Sequence, residues 1–425
     1  MEENFMKKLL AVLVLSALVC ISLSALAVEW PVTSIADFSE GASLTTIGMS
    51  GNDGQEYQGF IDIHGQLRSY LPANEITYIF KISDHYASVL VGRQEYAILD
   101  AANGRTVASS KNGGFDRILD IGSWNGHTYY ATIANVSGFS AKGYQYTICN
   151  ENGIVVWQET MKSQLQSVNY GGEGWFLLHN GSEAMYCCAA TGKTVTVPSV
   201  SNYCNSVENG YTVNITKGAS KFYETAVLIN LNNGATQVFG MYGNAKGANA
   251  VVIGPFNEGK AVVTEYNSLR TQEPVIGMYY IQPGRGAVQL NALIEHVKAP
   301  MVSMLQFCRF ENGRLLLPLQ GADGKSYVGV VDENDRVVVE PFRADSMYMY
   351  TISSGRLVTM LDGVAQVYDE NGRYLFSASD YHETRIGIFH EGIAPMSKYA
   401  MIDRNGELVF YGSVSLDGAV RFGIN

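Results

Sequence analysis

Motifs for catalysis and metal binding are missing from this sequence. Its 425 residues contain no Gly-x-Ser-x-Gly elbow, no His-Glu-x-x-His and no Cys-x-x-Cys. Two segments, Gly192-Lys193-Thr194 and Gly324-Lys325-Ser326, resemble the end of a phosphate-binding loop. They have Cys187 and Leu319 where that loop requires its first glycine, so the backbone could not wrap a phosphate. The sequence therefore predicts no enzyme, no cofactor and no metal site.

Charged residues are scarce, and basic clusters are absent. Charged side chains make up 16% of the chain, and the formal net charge is −11 at pH 7. Lysines and arginines are mostly scattered singly. An acidic protein without a basic cluster is a poor partner for nucleic acids or anionic lipid surfaces. We expect it to bind neither.

Long hydrophobic runs are limited to one, near the start of the chain. Two lysines precede an apolar stretch from Leu9 to Leu23, which is followed by the small-residue site Ala25-Leu26-Ala27. This order is typical of a secretory signal peptide. We therefore expect residues 1–27 to be removed and residues 28–425 to form one secreted β-repeat domain, with cell-surface association left open. No second run is long enough to span a membrane.

Cysteine is rare and shows no disulfide framework. Five cysteines follow the leader, an odd number with irregular spacing. Cys187 and Cys188 are adjacent in a strand-like run, so their side chains would point to opposite faces. We expect buried free thiols rather than a set of disulfides, although the spacing leaves one disulfide open.

What the sequence does contain is a repeat. Its clearest copy runs from Phe310 to Phe342 and ends with two β-branched runs joined by the tight turn Asp332–Arg336. Runs of Val, Ile, Leu and Tyr between Gly, Asn and Asp turns are typical of antiparallel strands. The tight turn recurs nine times between residues 61 and 406, with a mean spacing of about 43 residues. Such a period is typical of a propeller or a solenoid.

An aspartate opens many of these turns. It stands at Asp62, Asp100, Asp332, Asp369 and Asp403. An aspartate at this point can accept hydrogen bonds from the backbone two residues later, and a following Asn-Gly or Asp-Gly pair supplies the positive φ angles of a two-residue turn. We expect these aspartates to be structural rather than calcium ligands.

A second element, Phe-x-Glu-Gly, opens the first apolar run of several copies. It begins at Phe38, Phe256 and Phe389. Between this element and the last hairpin lie inserts of variable length. The long inserts are residues 48–58, 137–144 and 265–274. Variable inserts at one point of a repeat collect on one face, which is often the binding face.

Together these elements resemble the WG (KWG) repeat of secreted bacterial proteins. The shared pattern is Phe-x-Glu-Gly-x-Ala, then Gly-x-Ile-Asp-x-x-Gly-x-Val, then a proline and an aromatic residue; the best copies begin at Phe38, Phe310 and Phe389. The Trp-Gly pair that names the family is replaced by Gln58-Gly59 and Val328-Gly329. The resemblance implies a β-rich repeat array with an interaction role and without catalytic residues.

The repeat also predicts how the copies are assembled. A sheet of three or four strands cannot cover both of its faces alone, so neighbouring copies must stack. We predict an all-β propeller of seven to nine blades, in which the C-terminal hairpin from Val414 to Phe422 gives or receives the closing strand. An open β-solenoid is the alternative. Helical spacing of apolar residues occurs only near Leu290 to Lys298.

Aromatic residues give the main hint of function. The chain has 26 tyrosines, and tyrosine offers a flat apolar face with a polar tip that suits interfaces and sugars. Tyrosine is also an ordinary strand residue. The candidates for a binding surface are Tyr129, Tyr130, Tyr144, Tyr266, Tyr348 and Tyr350.

Three functions are compatible with the sequence. The first, which agrees best with the missing motifs, is a secreted non-enzymatic protein that binds a protein or a cell-wall glycan. The second is a propeller hydrolase or lyase acting on polysaccharide, which would need Asp, Glu, His or Arg side chains converging on the central channel. The third is a structural or assembly role, for which stable self-association would be the sign.

Overall fold

The fold is known from a computed structural model, which describes residues 29–38, 43–137, 142–199, 206–217, 224–239, 250–266, 275–297, 304–345 and 352–422. These residues form nine small sheets, which are the blades of a β-propeller. The all-β prediction is confirmed, at the upper end of the predicted blade number. The predicted signal peptide, residues 1–27, lies outside the described residues.

Blades 1 to 4 each contain four strands that follow one another in the chain. Blade 1 has β1 (Glu29–Ile35), β2 (Leu44–Ser50), β3 (Glu56–Asp62) and β4 (Leu67–Pro72); blade 2 has β5 (Ile76–Ser83), β6 (Tyr86–Val91), β7 (Glu95–Asp100) and β8 (Arg105–Ser109). Blade 3 has β9 (Arg117–Trp124), β10 (His127–Ser137), β11 (Lys142–Asn150) and β12 (Val155–Met161); blade 4 has β13 (Ser167–Gly172), β14 (Trp175–His179), β15 (Glu183–Cys188) and β16 (Thr194–Pro198).

Blades 5 to 9 repeat this arrangement, with three strands in blades 5 and 9. Blade 5 has β17 (Tyr211–Lys217), β18 (Glu224–Asn230) and β19 (Ala235–Phe239); blade 6 has β20 (Ala250–Ile253), β21 (Ala261–Tyr266), β22 (Val275–Gln282) and β23 (Gly286–Gln289); blade 7 has β24 (Phe310–Glu311), β25 (Arg314–Gln320), β26 (Ser326–Asp332) and β27 (Val337–Arg343). Blade 8 has β28 (Ile352–Ser353), β29 (Arg356–Leu361), β30 (Val364–Asp369) and β31 (Tyr374–Ser377); blade 9 has β32 (Ile393–Met396), β33 (Ala400–Asp403) and β34 (Leu408–Tyr411). The chain continues into β35 (Ser413–Ser415) and β36 (Val420–Arg421).

Helical structure among the described residues consists of three 3₁₀ turns. They are Ile294–His296, Leu305–Phe307 and Ala378–Tyr381. The helical spacing near Leu290 yields only the first of these turns, because Leu290, Leu293 and Val297 are buried anchors of the linker between blades 6 and 7. Within the described part of the chain, no helix is long and apolar enough to cross a membrane.

The blades define two faces of the ring. Neighbouring blades approach each other through their first strands, as β5, β9 and β13 do, so the first strands lie nearest the axis. Successive strands are antiparallel, so the turns that join strand one to two and strand three to four open on one face, the short-turn face. The connections between strands two and three open on the opposite face, the insert face. The three long inserts all belong to such connections.

The nine recurring turns join the last two consecutive strands of each blade. Asp332 acts as predicted: its Oδ1 atom accepts hydrogen bonds from the N–H groups of Asn334 at 2.8 Å and Arg336 at 2.9 Å. The same pair of bonds is made by the aspartates at 62, 369 and 403.

The predicted size of these turns, two residues, is too small, by one residue in blade 1 and by two residues in blade 2. Asp62 donates its N–H to the Gln66 carbonyl, which leaves three residues in the turn, and of these only Gly65 has a positive φ, 76°. A type I turn followed by one left-handed residue gives this geometry. Two-residue turns join the first two strands instead, as at Glu258 (φ 52°) and Gly259 (φ 70°).

The ring closes on blade 1 through the last two strands. β35 pairs antiparallel with β1, and Val414 lies opposite Trp30 in a buried cluster. β36 runs parallel to β4 at its other edge. The ring of Phe422 then lies against Phe60, with 6.0 Å between the ring centroids. The C-terminal segment therefore provides the closing strands, and the chain is not an open solenoid.

Candidate functional site

The seam between blades 2 and 3 is the least filled of the nine seams between described residues. Its cluster has six buried hydrophobic residues, whereas the clusters of the other eight seams have between eight and thirteen each. The outer part of this seam holds a cleft of about 850 Å³. A volume of this size is typical of a small-ligand site. We call it the seam cleft.

Blade 3 forms a polar wall of the seam cleft. Residues 144–149 of β11 read Tyr-Gln-Tyr-Thr-Ile-Cys, and the first, third and fifth of them pack toward blade 4. Because successive strand residues point to opposite faces, the Gln, Thr and Cys face blade 2 and line the cleft. Thr147 lies opposite Thr132 on β10 and Gln158 on β12. A row of two hydroxyls and one amide therefore crosses the cleft. The hydroxyl of the buried Thr132 donates to the Thr147 carbonyl at 3.4 Å, and the side chains of Thr147 and Gln158 are more exposed.

Blade 2 forms the opposite wall with β8 and the loop that follows it. Val107 and Ala108 pack on the small buried cluster of this seam, as does Phe115 at the insert-face end. The Oγ1 atom of Thr106 is buried and has no hydrogen-bond partner among the described residues. A buried hydroxyl without a partner is costly.

The seam cleft is close to neutral. Tyr130 and Cys149 lie side by side on β10 and β11. Burial raises the pKa of the Tyr130 hydroxyl far above its ordinary value and also raises the pKa of the Cys149 thiol. Both groups are therefore protonated at neutral pH. Among the described lining residues, the one charged side chain is Arg105, which is exposed. These residues include no carboxylate and no imidazole.

At the insert face, the same seam exposes aromatic rings. Tyr78 and Phe80, on β5, are 58% and 48% exposed. The Phe80 ring lies 4.9 Å from Tyr78 in an edge contact and stacks on Tyr96 at 5.6 Å. Tyr96 and Phe115 pack on the same buried cluster, which places these rings next to the cleft. We call Tyr78, Phe80, Tyr96 and Phe115 the aromatic strip.

The tyrosines predicted from the sequence occupy other positions. Tyr129 and Tyr130 are 6% and 3% exposed, because β10 lies between two strands and the rings enter opposite seams. They form no exposed surface, although Tyr130 lines the seam cleft. Tyr144 is half-buried toward blade 4. Of Tyr266 only the backbone, at the end of β21, is described, and Tyr348 and Tyr350 lie outside the described residues.

Charged groups on the first strands join blades to one another. Lys81 on β5 pairs with Asp120 on β9 at 3.0 Å. The other carboxylate oxygen of Asp120 accepts the N–H of Tyr170 on β13 at 2.5 Å. This group links three blades through bonds that are already satisfied. Within the described ranges, no cluster of three or more His, Cys, Asp or Glu side chains could hold a metal ion.

The glutamate of the Phe-x-Glu-Gly element also joins blades. Glu258 of blade 6 accepts the N–H groups of Asn312 and Gly313 in the first turn of blade 7, the latter at 2.9 Å. Glu173 of blade 4 accepts those of Asn209 and Gly210 at 2.7 and 2.9 Å. The glutamate therefore caps the turn of the next blade, which gives this part of the repeat a structural role.

Comparison with known proteins shows the fold alone. No family model matches the chain, and no curated protein does. A eukaryotic initiation factor structure is similar with a TM-score of 0.56 and 9% identity, over 90% of this chain and 96% of that one. BamB from Moraxella catarrhalis is similar with a TM-score of 0.39 and 10% identity, over 72% of this chain and 88% of that one. The β-propeller domain of the Trilobed protease from Pyrococcus furiosus is similar with a TM-score of 0.35 and 9% identity, over 73% of this chain and 98% of that one.

Proposed function

We propose that this protein is a secreted, non-enzymatic binding protein that holds a glycan in the seam cleft. The observation that carries the proposal is the row formed by Thr132, Thr147 and Gln158, with the half-buried ring of Phe115 at one end of the cleft. Hydroxyl and amide groups can both donate to and accept from sugar hydroxyls. The ring of Phe115 offers a flat apolar face that suits the C–H face of a sugar ring.

The charge of the cleft favours an uncharged glycan. Arg105 is the one charged side chain among its described lining residues, and it is exposed to solvent. The net charge of −11 would repel acidic polysaccharides. Secretion, expected from residues 1–27, would place the cleft where cell-wall and other extracellular glycans occur.

The lining also favours retention of the glycan over its cleavage. Glycoside hydrolysis ordinarily uses two opposed carboxylates. The described lining of the seam cleft supplies none, and its Tyr130 and Cys149 side chains hold their protons at neutral pH. The role proposed for these residues is therefore binding.

The test is calorimetric titration of residues 28–425 with neutral cello-, malto- and chito-oligosaccharides and with acidic oligogalacturonates. We expect saturable binding of at least one neutral series. Gln158→Ala and Thr147→Val each remove one side-chain hydrogen bond and should weaken binding by about two- to ten-fold.

Gln237→Ala is the matched control, because Gln237 is an exposed glutamine on the outermost strand of blade 5. It should bind like the unmodified protein. Absence of binding by every neutral series, or equal binding by Gln158→Ala and the control, would contradict the proposal. Binding of the acidic series alone would contradict the uncharged ligand.

A further inference from the structure

The exposure of the aromatic strip has a local structural cause. β5 contains two irregularities in its pairing with β6, one between Ile76 and Tyr78 and one between Ile79 and Lys81. A β-bulge re-aims the side chains beside it. Ile76 and Ile82 remain buried toward blade 1, while Tyr78 and Phe80 reach solvent. Two neighbouring exposed aromatic rings offer flat apolar faces on which a ligand can stack.

The strip is continuous with the seam cleft. Phe115 lines both the cleft and a depression of about 360 Å³ beside it, which also includes Glu95, the neighbour of Tyr96. The Glu95 carboxylate accepts the Ser109 hydroxyl. Asp116, on the other side of the depression, accepts the N–H of Asn135 at 2.6 Å. The carboxylates along this path are therefore already hydrogen-bonded within the protein.

We infer that the aromatic strip is a second sugar-binding region and that the ligand is a linear glycan chain rather than a single sugar. The inference rests on the proposed function of the seam cleft. From β5 to β8 the seam crosses three strand spacings, about 14 Å, a span that exceeds one or two sugar rings. One part of the chain lies among the hydroxyl and amide groups of the cleft. The next part stacks on the rings of Phe80 and Tyr78.

The experiment measures affinity as a function of chain length. The probes are the di-, tetra- and hexasaccharides of the neutral series that binds. We expect the hexasaccharide to bind the unmodified protein more tightly than the disaccharide. Phe80→Ala and Tyr78→Ala should each weaken hexasaccharide binding by about ten-fold, as expected for the loss of one aromatic contact, and should leave disaccharide binding unchanged.

Two further variants serve as controls. Phe80→Tyr keeps an aromatic ring and should still bind the hexasaccharide more tightly than the disaccharide. Tyr374→Ala removes a tyrosine that is 49% exposed on blade 8 and should bind every length like the unmodified protein. The altered residues are exposed, so the melting temperature should not change, and it is measured for each variant.

The outcomes separate this inference from the proposed function. If no neutral oligosaccharide of any length binds, the proposed function fails and the inference fails with it. If short chains bind and longer chains bind no more tightly, the proposed function of the seam cleft is retained and the second sugar-binding region is refuted. A gain with length that survives in Phe80→Ala and Tyr78→Ala also refutes it.

Discussion

Removal of one ring from the closing segment should destabilise the propeller. Phe422 is 3% exposed and lies in a buried cluster that joins blades 1 and 2. Its ring meets the edge of Phe60 at 6.0 Å. Phe-to-Ala changes in packed cores cost about 3–5 kcal/mol. We expect about 3 kcal/mol for Phe422→Ala, the low end, because β36 is held by only two paired residues and can detach.

The assay is urea unfolding of Phe422→Ala followed by tryptophan fluorescence. The expected result is a lower midpoint with one cooperative transition. Tyr411→Ala is the control: Tyr411 is 70% exposed on β34, so its removal should change the free energy of unfolding by less than about 0.5 kcal/mol. If Phe422→Ala unfolds like this control, the segment does not hold the ring closed and the reasoning is refuted.

Three other predictions follow from buried groups. Thr106→Val removes a buried hydroxyl without a partner and should raise the free energy of unfolding by up to about 1 kcal/mol, measured by urea unfolding. Burial lowers the pKa of His179 below its ordinary 6.5. The unfolded state therefore binds more protons than the folded state, and the free energy of unfolding falls as the pH drops below 6.5. His179→Gln should reduce the difference in melting temperature between pH 7 and pH 5. Burial raises the pKa of Cys187 and Cys308 to about 12, so a thiol reagent should label these two only after unfolding; labelling of either one in the native protein, located by peptide mapping, would contradict this.

The fold was predictable because each blade carries one marker turn. The positive-φ residue of that turn is a glycine in eight blades, from Gly65 in blade 1 to Gly406 in blade 9, and Asp335 in blade 7, so the turn can be recognised by its residue types. The turn length was less predictable. The Asp-x-x-Gly residues suit a three-residue turn as well as a two-residue turn. In blade 1 the hydrogen bond from the Asp62 N–H to the Gln66 carbonyl shows that the turn has three residues.

The candidate site was harder to predict because exposure depends on how two blades meet. Tyr129 and Tyr130 lie near a strand end in the sequence, yet the strand that carries them is central and covered on both faces. Tyr78 and Phe80 lie in an apolar run that resembles a buried strand, and the bulges that expose them leave no clear pattern in it. The alternation of apolar and polar side chains in residues 144–149 was visible in the sequence. Which neighbouring blade each set faces depends on how the blades are arranged in the ring.

Hydrogen–deuterium exchange with and without a neutral hexasaccharide tests the central claim most directly. If the glycan lies in the seam between blades 2 and 3, exchange should slow in β8, in the loop at residues 112–116 and in β10 to β12. Exchange in β25 and β26 of blade 7 should stay the same. Slower exchange on the short-turn face of blades 7 to 9, with the seam unchanged, would contradict the account.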